Sequence, residues 1–204
     1  MFTANMAREW VKESSKKIEG NKDQLTNLDQ ALGDGDHGLN MTRGLKAAVE
    51  QLDEDTDEPG QVLKGVGKSL LSKVGGASGP LYGTFFMKAG NHLEGSKVEF
   101  SELASGLRIG VDGMKKRGKT ERDEKTMIDL LEPVIEVMEE RGNDVTPDHL
   151  MERANKSLDM VMEYEAKKGR AAYYKEKSKG KQDAGAQSSY YIIQALAEVI
   201  KKEG

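Results

Sequence analysis

Asp29-Gln-Ala-Leu-Gly-Asp34-Gly-Asp36-His37-Gly38-Leu-Asn40 places three carboxylates within eight residues, across a turn broken by glycines. Upstream, Leu25, Leu28 and Leu32 recur at helical spacing, and downstream Met41, Leu45, Ala48, Val49 and Leu52 do the same. The acids therefore fall where one amphipathic helix ends and the next begins. Gly33, Gly35 and Gly38 free the backbone to adopt positive φ and to approach a ligand closely.

Converging carboxylates without a counter-charge raise one another's pKa. A hard cation relieves that repulsion, and oxygen ligands beside backbone amides suit Mg²⁺ holding a phosphate. The same residues also describe a plain solvated turn, because Gly and Asp are ordinary turn formers. A calcium EF-hand loop fits less well, since the twelfth position from Asp34 is Leu45, where a bidentate Glu is required.

Composition narrows the class. The chain has 204 residues, enough for one domain over 1–204 with a real core. Charged residues make up 32% and aromatics 5%, with four prolines, which suits a helical protein better than a β-sandwich. Cys is absent, which rules out disulfides. With no long apolar run and no signal-peptide core, the expectation is a cytoplasmic protein without a membrane role. The net charge is −4 and no basic stripe runs along the chain, so nucleic acid is not expected as a partner. Lys167, Lys168, Arg170 and Lys175 to Lys181 form the one local basic excess, read without further context as solvated loop charge.

Taken in order, Met6, Trp10, Val11 and Ile18 mark a first helix ended by Gly20, with Asn21 able to cap the second. The run from Asp53 to Gly60 reads as a solvated connection. Val62, Leu63, Val66, Leu70, Leu71 and Val74 form another stripe, which stops at Gly75-Gly-Ala-Ser78-Gly79-Pro80. Such a small-residue loop entering a helix can cradle an anion or be only a tight turn, and it is not a Walker loop. Further stripes follow from Leu81, from Phe100 and from Ile128, where Pro133 predicts a kink. Thr146-Pro147 predicts a capped helix start, and Asp183 caps the last helix. The long polar stretch Gly169–Gln182 reads as a functional lid or a mobile segment. About eight helices and no convincing strand result, with short connections that predict antiparallel neighbours in an all-α closed bundle.

Several segments together resemble one family. Leu32-Gly-Asp-Gly-Asp-His-Gly-Leu-Asn-Met41, Gly75-Gly-Ala-Ser-Gly-Pro-Leu-Tyr-Gly-Thr-Phe-Phe86, Lys125-Thr-Met127, Lys168-Gly-Arg-Ala171 and Gln182-Asp-Ala-Gly-Ala186 are similar to the nucleotide-binding L subunits of bacterial, phosphoenolpyruvate-dependent dihydroxyacetone kinases. The segments occur in family order and span most of the chain. The resemblance implies an eight-helix antiparallel barrel with the nucleotide site at one end. It implies that Asp29, Asp34 and Asp36 hold a pair of Mg²⁺ ions. It also implies that His37, Gly38, Leu39, Asn40, Ala77, Ser78, Gly118, Met127, Arg170, Asp183, Ala184 and Gly185 line ADP or ATP. The implied partners are a dihydroxyacetone-binding K subunit and an M subunit of the phosphotransferase system (PTS) that carries a phosphohistidine.

The sequence departs from the family pattern at Arg122-Asp123-Glu124, Asp183-Ala184-Gly185 and Lys181, where the family has Pro-Gly-Asp, Asp-Pro-Gly and His. Loss of two prolines implies looser nucleotide-lining loops and weaker retention of ADP. Two other readings use the same residues. One is an ATP-exchanging kinase module for another acceptor, as in fatty-acid kinases and single-chain dihydroxyacetone kinases. The other is a non-catalytic, nucleotide-responsive regulator that docks on a transcription factor. In the longer kinases the module is one domain among several, whereas this chain ends at Lys201-Lys-Glu-Gly204 directly after its last helix, which favours the three-subunit system.

Overall fold

The apolar stripes fold as helices. The computed structural model describes residues 1–203, and among them nine α-helices appear. They are α1 (Ala4–Gly20), α2 (Lys22–Leu32), α3 (His37–Glu50), α4 (Pro59–Lys73), α5 (Ser78–His92), α6 (Phe100–Gly118), α7 (Ile128–Arg141), α8 (Pro147–Glu163) and α9 (Ala184–Glu203). In sequence, α1, α3, α4, α5, α6, α7, α8 and α9 each pack on the next, and α9 returns to α1. This is the expected closed ring of eight. The ninth helix, α2, lies beside the ring on α3 and α9 and carries Asp29.

Close approach in the ring rests on small residues. A Cβ on Gly67 would fall 2.7 Å from the Gly83 carbonyl, and one on Gly83 2.9 Å from the Gly67 carbonyl. The backbones of α4 and α5 therefore touch with no room for a side chain between them. Phe2, Trp10, Phe85 and Phe86 are buried together in the core, where Trp10 stands 6.3 Å from Phe2 and 5.4 Å from Phe86, ring centre to ring centre. The Trp10 indole donates to the Ile192 carbonyl at 2.8 Å, so its one polar atom is satisfied inside the core.

Three details differ from what the sequence leads one to expect. Two-residue strands pair antiparallel, β1 (Phe2–Thr3) with β2 (Lys97–Val98), because Phe2 and Val98 bury their side chains face to face. Asn21 makes no side-chain cap on α2; its amide donates to the Lys17 carbonyl at 2.8 Å and closes α1 instead. Residues Arg170–Ser178, inside the expected lid, form 3-10 turns. The Thr146 start of α8 is as expected: Thr146 Oγ1 accepts from the His149 amide at 3.3 Å, and His149 Nδ1 accepts from the Thr146 amide at 3.2 Å.

Connections alternate between the two ends of the ring. The α2–α3, α4–α5, α6–α7 and α8–α9 connections gather around one cavity. The α3–α4, α5–α6 and α7–α8 connections lie at the other end, where the Ser101 amide meets Asn143 and Gly60 abuts the Leu93 carbonyl.

Candidate functional site

The site begins with Asp29 in the last turn of α2. Its Oδ2 accepts from the Asp36 amide at 2.8 Å and the His37 amide at 3.1 Å. A carboxylate seven residues upstream thus satisfies free N–H groups at the start of α3, where the helix dipole favours negative charge. The Gly33-Asp34-Gly35-Asp36 turn, with Gly35 at φ +76°, folds back so that Asp29, Asp34 and Asp36 each offer an oxygen within 4.8 Å of the others. Arg170 Nη2 reaches Asp34 Oδ2 at 2.8 Å but is two-thirds exposed, so solvent screens much of its charge. Three converging carboxylates with so little neutralisation fit a hard divalent cation.

The cavity at this end has a volume of about 490 Å³. Asp29, Asp34, Asp36, His37, Ala77, Ser78, Gly118, Met127, Arg170, Asp183, Ala184 and Gly185 all line it. Gly38, Leu39 and Asn40 do not. Gly38 packs into α2, where a Cβ would fall 2.2 Å from the Lys22 carbonyl, and Leu39 is 58% exposed. Asn40 is buried, accepts from Arg43 at 3.1 Å and lies against the Gly75–Gly76 turn.

The His37 ring is engaged at both nitrogens. Nδ1 lies 2.9 Å from Ser78 Oγ and Nε2 lies 2.8 Å from Ser188 Oγ. Burial lowers its pKa, opposed by the charges of Asp29 and Asp36. Ser188 Oγ in turn sits 2.9 Å from the Tyr82 hydroxyl, which also meets Ser189 Oγ at 2.6 Å and the Gly185 carbonyl at 3.0 Å. One buried hydrogen-bond network therefore joins the carboxylate turn, the start of α5 and the start of α9.

Lys125, within Lys125-Thr-Met127, has a role that its neighbours in sequence do not show. It is buried, and its ammonium donates to the Val161 and Met162 carbonyls at 2.7 and 2.9 Å, closing the C-terminus of α8. Desolvation lowers its pKa while Asp183 works the other way. Desolvation likewise pushes the Asp183 carboxyl up to about 6, although its Oδ2 accepts from the Ala186 amide at 2.7 Å.

The Arg122–Glu124 loop is braced. Glu124 Oε2 accepts from Thr120 and from the Glu121 amide, Asp129 accepts from the Asp123 and Thr126 amides, and the Glu124 carbonyl accepts from the Lys167 amide. Side chains, rather than a proline, hold this loop. Their pairing across the loop is what single-residue reading does not see.

The DAK2 domain model matches residues 31–198. The chain belongs to the DAK2-domain family. Among DAK2-domain relatives, the ADP-binding subunit DhaL of PEP-dependent dihydroxyacetone kinase 1 from Listeria innocua is 38% identical, over 97% of each chain. The Escherichia coli ADP-binding subunit DhaL is also 38% identical, over 95% of each. The dihydroxyacetone kinase of C. freundii, solved in complex with AMP-PNP and Mg²⁺, aligns with a TM-score of 0.75 at 24% identity, over 96% of this chain and 33% of that one. At that identity the likeness speaks for the fold: the DAK2 helical ring.

Proposed function

We propose that this chain is the nucleotide-holding subunit of a phosphoenolpyruvate-driven dihydroxyacetone kinase. Asp29, Asp34 and Asp36 would hold a pair of Mg²⁺ ions. His37, Ala77, Ser78, Gly118, Met127, Arg170 and Asp183 to Gly185 would enclose ADP or ATP, with Gly38, Leu39 and Asn40 shaping the turn beneath it. The observation that carries this reading is the convergence of three carboxylates at the mouth of a cavity walled by the family motifs. When bound, the nucleotide carries a phosphoryl group and Mg²⁺ neutralises its charge. The chain's residues supply position and field, the dominant contributions to phosphoryl transfer.

The phosphoryl group would come from a PTS phosphohistidine protein and leave to dihydroxyacetone on a partner subunit, with all three proteins in the cytoplasm. Among the described residues, no helix is long and apolar enough to cross a membrane. Purifying the chain with Mg²⁺ and no added nucleotide, then denaturing it, tests the reading: near-stoichiometric ADP should be released. A preparation that is empty and binds neither ADP nor ATP would refute it. The isolated chain given ATP and dihydroxyacetone should not turn over, and rapid turnover would refute the division of labour.

A further inference from the structure

Residues 167–181 carry Lys167, Lys168, Arg170, Lys175, Lys177, Lys179 and Lys181 against one acid, Glu176, in a chain whose net charge is −4. The segment is held in place. Ser178, fully buried, accepts from the Ala166 amide at 2.8 Å and donates to the Lys175 carbonyl, and the Gly180 amide donates to the Met162 carbonyl at 2.8 Å. Among the described residues, Lys167, Lys175 and Lys177 have no carboxylate within salt-bridge distance. Tyr173 is 86% exposed, and with Tyr174, Arg170 and Gly33 it walls an open cleft of about 540 Å³. Gly33 and Arg170 also line the main cavity, so the cleft opens beside Asp34.

Resting on the function proposed above, the geometry points to this shelf as the docking surface for an acidic face of the protein that carries the phosphoryl acceptor. Unpaired cations on the same segment that walls the cleft favour a negatively charged partner and speed its encounter. The exposed aromatic walls supply contact area at low entropy cost. A concave cleft beside the carboxylate turn suits a protruding protein loop better than a flat lipid surface.

The double variant Lys175→Glu/Lys177→Glu tests this, since neither side chain lines the cavity. With the dihydroxyacetone-binding subunit titrated in a coupled assay, kcat/KM for that partner should fall about tenfold or more at low salt. The deficit should shrink at high salt, and ADP affinity by calorimetry should stay unchanged. Tyr173→Ala should weaken the partner at all salt concentrations alike. Unchanged partner dependence in both variants overturns the proposal. So does an equal loss of ADP affinity, or loss of binding to phosphatidylglycerol vesicles in place of the partner effect. A wild-type chain that holds no nucleotide overturns the proposed function instead.

Discussion

At the cavity end of the ring the connections are held by charged and hydroxyl side chains in strained backbone; at the other end they are held by caps, a two-residue ladder, apolar contact and one arginine, Arg8. All four non-glycine residues at positive φ among the described residues, Lys119, Asp123, Lys125 and Lys175, belong to the cavity end. So do Gly35, Gly76, Gly169 and Gly180, whereas Gly95 and Gly142 serve the other end. Positive φ costs a non-glycine residue free energy, and such cost persists only where neighbouring bonds hold the residue in place. Asp129 accepts from the Asp123 amide, the Lys125 ammonium is fixed on the end of α8, and Ser178 donates to the Lys175 carbonyl. At the other end, Arg8 donates to the Asp53 and Thr56 carbonyls, Thr146 caps α8 and Phe2 pairs with Val98. One end is organised for a charged ligand and the other for stability.

The largest expected break in this contrast is Asp36→Asn. Removing one carboxylate charge should weaken Mg²⁺-dependent ADP binding by about a hundredfold or more in calorimetry. The same change relieves repulsion, so the ligand-free protein should unfold no more easily than wild type. Trp10→Ala should do the reverse. Emptying the site between Phe2 and Phe86 should cost about 3–5 kcal/mol in urea denaturation, and ADP affinity of the folded fraction should be unchanged.

A smaller effect separates the ends by pH. In the folded chain desolvation raises the Asp183 carboxyl to about 6, against an ordinary value of 3.8. Between those values the folded state keeps a proton that the unfolded state has released, so stability falls as pH rises through the window. Asp183→Asn has no such proton. Its stability relative to nucleotide-free wild type should rise across that window by up to about 3 kcal/mol, and level off above the folded pKa. A flat difference across the window would show that Asp183 is not desolvated.

The smallest effect belongs to Tyr82→Phe. It keeps the ring and removes a hydroxyl bonded to Gly185, Ser188 and Ser189. The expected cost is about 1 kcal/mol in thermal unfolding. ADP affinity should shift more than it does in Trp10→Ala, because only Tyr82 touches the network that reaches His37.

The helices were legible where a residue's own chemistry settles its place. Leucine and valine spacing marks nearly every helix of the ring, Thr146-Pro147 marks the start of α8, and the three aspartates mark the turn before α3. Residues whose role depends on a distant partner were not legible. Lys125 follows a run of charged residues with nothing local to mark its place, and only the C-terminus of α8 folding over it makes it a buried brace. Asn21 has the composition of an N-cap and closes the preceding helix instead.

The sequence by itself determined an all-α chain, the alternation of stripe and connection, and a triad of acids beside glycine, because periodicity and turn chemistry are local. Only the tertiary structure decided that eight helices close while α2 stands beside the ring, that the His37 ring is engaged by Ser78 and Ser188, and that the lysine-rich segment flanks the carboxylate turn. Those outcomes join residues far apart in the chain, and packing alone brings such residues together.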